Sequence, residues 1–312
     1  MSLATFAHAQ TNSCGEIDLD KDPTALGLIP KWDQGDTHLC YAFTTAQLVD
    51  AYRIKKGDVI GNQFTSPLVL ASDTIRKYKD KGTNFSGGRI EHAFSTAREI
   101  GSCNSKYISD RWGKYSAPKI INLLNKCYRD GEKEDKNLVA EQCIKDLMDE
   151  DVTRDVLPTT GEFVKYLESS REEFISDVLS SGCKERHAIA NLPAPTRFFR
   201  PRADTDTLVD KVHTLLQSKT PVGVNFCAEV VSNKDHVGHR DEEKKEWICQ
   251  KGLRHSAIIA GRKMIDGKCN FLIRDTGCEA LNKDNQKLCN NGEYYVEDTR
   301  LIANTEGLIW LE

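Results

Sequence analysis

From Leu39 onward, the apolar positions Leu39, Ala42, Phe43, Ala46, Val49 and Tyr52 recur at helical spacing, and the run closes on Lys55, Lys56 and Gly57. A basic last turn followed by glycine is a helix stop, so the pattern predicts a helix that begins at Cys40. Ser66-Pro67 opens a second helix through Leu68, Val69, Ala71, Ile75 and Tyr78, with proline suited to the first turn, and a third runs from Arg89 to Ile100. Amphipathic helical patterns continue over 117–128, 137–149, 160–168 and 171–181. After a basic, proline-bounded linker at Arg197–Arg202 and a further helix over Asp206–Ser218, the character changes. Short apolar runs at 221–227, 255–261, 270–274, 293–296 and 307–311 read as strands, and Asn233–Lys245 reads as a charged loop. Helices first and strands last predict an α+β chain.

Composition narrows the function classes. The 312 residues are 39% hydrophobic, with 43 basic against 47 acidic side chains and a net charge of −4, an ordinary globular balance without the basic footprint of a nucleic-acid binder. No apolar run reaches membrane-spanning length. Eleven cysteines are many for a reducing compartment, and none forms the Cys-x-x-Cys pair of a zinc site, so disulfides are the expectation. Setting Cys40 aside leaves ten, an even number, and Cys227 with Cys249 brackets the charged loop as a staple would. Ala7-His8-Ala9 reads like the small-x-small end of a secretory signal, which makes residues 1–9 a leader remnant and the expected location secreted or periplasmic. Only about twenty residues then precede Gln34, too few for a conventional inhibitory pro-segment.

The candidate chemistry begins at Cys40. A helix N-terminus offers free N–H groups and a partial positive charge, which favour thiolate over thiol. The plainer alternatives for Cys40 are a small buried hydrophobe or one end of a disulfide. His255, opening the apolar run His255–Gly261, is the best-placed base; His92 and His213 sit on helices, and His38, His236 and His239 in loops. The His236-x-x-His239 spacing lacks the supporting ligands of a metal site, so no metal or cofactor is expected.

The block Gln34-Gly35-Asp36-Thr37-His38-Leu39-Cys40-Tyr41-Ala42-Phe43 resembles the active-site helix of papain-like cysteine peptidases, whose pattern is Gln-Gly-x-Cys-Gly-Ser-Cys-Trp-Ala-Phe. Asn84-Phe85-Ser86-Gly87-Gly88 resembles the family's substrate-binding turn, Arg254-His255-Ser256-Ala257 its histidine strand, and Arg274-Asp275-Thr276-Gly277 its Lys/Arg-Asn-Ser-Trp block. Thr37 and Phe85 stand where the family carries a structural disulfide, so both halves of that bridge are missing together. Tyr41 and Gly277 replace tryptophans and Asp275 replaces asparagine, which predicts a less shielded histidine contact.

The resemblance implies a two-lobed papain-like fold, with a helical lobe over 10–104 and a β-barrel-like lobe over 201–312. It also implies a helical insertion over 105–200, because Cys40 and His255 lie 215 positions apart where the family has about 130–150. The implied activity is peptide-bond hydrolysis by Cys40, His255 and Asp275, with Gln34 at the oxyanion. Gly87 and Gly88 would bind the substrate backbone, Asn225 and Ser256 would line the pocket for the second residue before the scissile bond, and Arg254 would stand at its rim, suited to an acidic group. The partner is then a peptide or protein substrate. The alternative is a catalytically silent scaffold that keeps the fold and its disulfides.

Overall fold

The computed structural model describes residues 14–58, 64–103, 117–149, 152, 154, 157–183, 186–187, 189, 192–199, 204–232, 237–241, 243, 246–250, 252, 254–277 and 289–312. The leader remnant expected at residues 1–9 and His236 lie outside them. The helices are α1 (Cys40–Lys55), α2 (Pro67–Tyr78), α3 (Ile90–Ile100), α4 (Ala117–Gly131), α5 (Lys136–Asp149), α6 (Thr160–Tyr166), α7 (Arg171–Ser181), α8 (Thr205–Gln217) and α9 (Asp298–Ala303). The strands are β1 (Ile17–Asp18), β2 (Ser102–Cys103), β3 (Arg186–His187), β4 (Thr196–Phe199), β5 (Val222–Cys227), β6 (Gly238–Asp241), β7 (Glu246–Cys249), β8 (Arg254–Ile265), β9 (Lys268–Arg274), β10 (Glu293–Glu297) and β11 (Thr305–Trp310).

Helix α1 is buried from Tyr41 to Arg53, which a helix apolar on one stripe alone would not be. It lies between α2 and α3 on one side and the sheet strands β5 and β8 on the other. Several of its polar side chains are satisfied inside: Thr44 Oγ1 donates to Ser256 O at 3.0 Å, and Asp50 accepts from Thr65 N–H at 2.7 Å and from Arg53 at 3.0 Å. The site's cysteine therefore starts on the most enclosed helix of the fold. Helices α4 to α7 extend this helical half: Ser72 of α2 donates to Ser176 O of α7 at 2.7 Å, and disulfides join Cys103 to Cys183 and Cys127 to Cys143.

The main sheet runs β10-β9-β8-β5-β11-β4, antiparallel throughout, with β1 pairing beyond the end of β5 along β8. No pairing among the described residues closes this sheet of the strand-rich half into a complete barrel. The expected Arg197–Arg202 linker is corrected in its first part: Thr196–Phe199 is an edge strand against β11, a partner far along the chain that local pattern cannot reveal, and positions 200–202 lie outside the described residues. The charged loop is in part a hairpin, β6 with β7, held by the Cys227–Cys249 disulfide as its bracketing position suggests. Cys14–Cys269 ties the N-terminal segment to β9.

Arg274, at the end of β9, is buried and fully engaged. It donates to Gln47 Oε1 at 2.6 Å, Asp20 Oδ1 at 2.8 Å, Ile29 O at 2.7 Å and Pro30 O at 2.8 Å, which bolts α1 and the N-terminal segment to the strand that leads into Asp275. A buried guanidinium left short of partners would cost several kcal/mol. Here the saturation of its donors fixes the strand end.

Candidate active site

Helix α1 starts on Leu39, whose side chain makes no capping hydrogen bond, whereas Ser66, Thr159, Ser170 and Asp204 cap α2, α6, α7 and α8. The Ala42 N–H donates to Leu39 O at 2.9 Å, and the N–H groups of Cys40 and Tyr41, with no side-chain cap, face the helix N-terminus where an anion would bind. Cys40 is half-buried and is the one free cysteine among the described residues. His255 enters from β8 and Asp275 follows β9, its neighbour in the sheet. The His255 Nε2 to Asp275 Oδ1 distance is 2.8 Å, with the carboxylate side chain wholly buried. That bond commits Nε2 and leaves Nδ1 as the ring nitrogen available to the thiol.

Asp275 accepts two more hydrogen bonds, from Gly277 N–H at 2.7 Å and from the Tyr294 hydroxyl at 2.7 Å. Burial pushes Asp275 up, but the charge and hydrogen bond of His255, with Tyr294 and Gly277, bring it below the ordinary carboxylate value. Burial pushes His255 down, yet the Asp275 charge and the hydrogen bonds to Asp275 and Cys40 raise it well above the usual imidazole range. Burial pushes the Cys40 thiol up, and the hydrogen bond and charge of His255, with contacts from Ser256, carry it below its ordinary value. All three shifts favour a thiolate, an imidazolium and a carboxylate in line.

Gln34 is buried in the loop before α1. Its N–H donates to Thr276 O at 2.7 Å, its Oε1 accepts from Thr276 Oγ1 at 2.9 Å, and its Nε2 donates to Thr37 O at 2.7 Å. One of the two Nε2 hydrogens is committed, and the other remains for a ligand in the cleft. Thr37 Oγ1 in turn donates to Gln34 O at 2.7 Å, so this hydrogen bond braces the loop at the place of the absent bridge, and Phe85 at the other place is buried. Gly35 has φ +56°, and a Cβ there would sit 2.3 Å from Pro118 Cγ, so α4 presses directly on the Gln34 loop.

A cleft of about 590 Å³ is lined by Gln34, Cys40, Gly87, Gly88, Asn225, His255 and Ser256, which are the sequence-derived site residues apart from Asp275, the one behind the ring. Asn225 and Ser256 are cross-strand partners joined by a 2.7 Å hydrogen bond from Ser256 Oγ. Gly88 lies against the Tyr41 ring, where an added Cβ would be 2.7 Å from Cε1. The expected loss of shielding at Asp275 is not what the packing gives: Tyr294 covers the carboxylate and Phe226 meets the His255 ring edge-on at 5.6 Å. Tyr294 was not legible from the sequence, since its only signal is alternation in β10.

The other described histidines that the sequence offers as bases do not take the place of His255. His213 pairs with Asp298 at 3.1 Å and His92 stacks on Tyr78, while His38 lines the cleft and His239 lies in β6. Two described clusters have ligand-like spacing, His213 with Cys269 and Asp298, and Cys227 with Glu229 and Cys249, but each relies on disulfide-bonded sulfur.

No protein-family model and no curated protein sequence matches the chain. Among solved structures, xylellain, a cysteine protease from Xylella fastidiosa, is similar at a TM-score of 0.50 and 17% identity over 95% of this chain and 84% of that one. A structure on antibody cross-reactivity between the mite allergens Blo t 1 and Der p 1 is similar at 0.50 and 12% identity, over 97% of this chain and 73% of that one. With the helical half, the open sheet and the cleft between them, this likeness identifies the chain as having the α+β fold of the papain-like cysteine peptidases.

Proposed function

We propose that the chain is a cysteine peptidase. Cys40 thiolate, paired with His255 imidazolium, attacks a peptide carbonyl; the oxyanion is held by Gln34 Nε2 and the N–H of Cys40, and His255 gives its proton to the leaving amine. Water, deprotonated by His255, then hydrolyses the thioester. Asp275 holds the imidazole tautomer. Gly87 and Gly88 bind the substrate backbone as an added strand, and Asn225 and Ser256 line the pocket for the second residue before the scissile bond. The helical segment over 105–200 is read as an insertion between a helical lobe over 10–104 and a sheet lobe over 201–312, and the disulfides suit a secreted or periplasmic protein.

The observation that carries the reading is that the single free described cysteine has its thiol lowered by a histidine which is itself held at 2.8 Å by a buried carboxylate. An active-site-directed epoxide tests it. Labelling of Cys40 alone, with hydrolysis of unfolded protein that Cys40→Ala abolishes, is the expected result. An unlabelled Cys40 in folded protein would refute it.

A further inference from the structure

The cleft beside the glycine turn carries cations that the hydrolytic chemistry does not use. Lys81 and Arg89 line the cleft together with Gly87 and Gly88, exposed and with no acidic partner among the described residues. Lys81 rests only over the Tyr78 ring, at 5.3 Å. On the sheet side, Arg254 lines the same cleft next to His255, with its guanidinium held by Trp247 O. The positive field reaches the neighbouring His92, which burial lowers and which Arg89, Lys81 and Arg197 lower further. The uncapped N-termini of α1 and α3 add their partial positive charges, α3 starting at Arg89 itself with no side-chain cap. Among the described residues two carboxylates share the cleft: Glu306 already has a partner, and Glu91 stands against these cations.

We propose that this cleft selects peptides with acidic side chains in the two or three residues before the scissile bond, held between Lys81 and Arg89 on the helical side and Arg254 on the sheet side. The proposal rests on the peptidase reading for the direction of the substrate strand. It extends the acidic preference expected from Arg254 alone to a two-walled site, in which a backbone paired with Gly87 and Gly88 places alternate side chains toward opposite walls. An apolar side chain would leave three cations without a gain, whereas a carboxylate neutralises them in a cleft less screened than open surface.

The experiment uses fluorogenic peptides identical except for Glu, Gln or Lys at the second and third residues before the cut. Expected are kcat/KM values in the order Glu, Gln, Lys, with Glu over Lys by about tenfold or more, and a gap that narrows from 0.05 to 1 M salt as the Debye length falls from above about 10 Å to about 3 Å. Arg89→Glu should invert the order, with the Lys peptide gaining, a result a merely misfolded variant cannot give. The same peptides titrated onto Cys40→Ala protein read the preference as Kd without turnover. A charge-ordered Kd with no hydrolysis by the parent would overturn the peptidase reading and leave the acidic site standing. Equal Kd and equal kcat/KM for Glu and Lys peptides, or an order unchanged in Arg89→Glu, would overturn the acidic site alone.

Discussion

Replacing Asp275 with asparagine keeps the shape and removes the charge, which separates what the carboxylate does electrostatically from how it holds the ring. Asp275 Oδ1 accepts from His255 Nε2 at 2.8 Å and Gly277 N–H at 2.7 Å, and Oδ2 accepts from the Tyr294 hydroxyl at 2.7 Å. An amide oxygen can keep the first two bonds, while its NH2 turns to Tyr294, whose hydroxyl must then accept. The His255 bond survives without charge assistance, a difference of about 1–1.5 kcal/mol, or roughly 5- to 15-fold in kcat/KM if the ion pair bears it fully. The sign with pH follows from His255. Its value is raised by Asp275 and Cys40 against burial, so the thiolate-imidazolium pair persists until pH climbs through that raised value. In Asp275→Asn the alkaline limb of the rate profile moves to lower pH. The same linkage acts on stability: the His255 contribution is fully present below its ordinary value of 6.5 and fades as pH rises through the folded one, so the Tm gap between parent and variant closes at high pH. Asp275→Ala, which cannot accept the ring N–H, lowers kcat further, by roughly 10–100-fold. Profiles from stopped assays over a wide pH range decide the matter. Superimposable alkaline limbs in Asp275→Asn together with an unimpaired Asp275→Ala would show that Asp275 does not act on His255.

Three other outcomes are expected. Gly277→Ala brings a Cβ to 3.0 Å from Gln34 Nε2 and 3.2 Å from His255 Cε1, so kcat/KM should fall about tenfold while Tm changes little; an alanine variant as active as the parent would show that neither group needs its place. Removing the Cys227–Cys249 disulfide, which spans 22 positions, by a double alanine substitution should cost about 3 kcal/mol in denaturant unfolding, and an unchanged midpoint would mean the hairpin is held by its β6–β7 pairing alone. Asp50→Ala removes the buried acceptor of Thr65 N–H and the ion-pair partner that Arg53 has at 3.0 Å, and should cost about 3–5 kcal/mol, read by thermal or urea melts; a loss under 1 kcal/mol would show that solvent reaches this pair.

Much of this was legible in the sequence, for identifiable reasons. Helix α1 was, because its apolar spacing and its Lys-Lys-Gly stop are local signals, and the four blocks around Gln34, Gly87, His255 and Asp275 stand in the order their resemblance requires. The partners of those residues were less so. Tyr294 reaches Asp275 only because β10 pairs with β9 in one register, and Pro118 meets Gly35 only because α4 folds back onto the loop before α1. Such contacts depend on packing between distant segments, to which periodicity is blind. Arg274 is the instructive case: a charge ending an apolar strand looks like a surface residue, yet its donors are consumed inside. Edge strand β4 was hidden for the same reason, its hydrogen bonds all going to a strand near the chain's end.

The Cys14–Cys269 bridge has a topological consequence. It closes a covalent ring spanning 255 positions that contains both Cys40 and His255, and Cys103–Cys183 closes a smaller ring inside it. A single backbone cut anywhere in such a ring leaves one molecule, with the two new ends held at high effective concentration. A protein nicked once between Cys103 and Cys183 would run as a single species without reductant and as two pieces with it. Within that ring neither one cleavage nor reduction alone releases a piece; the two together do.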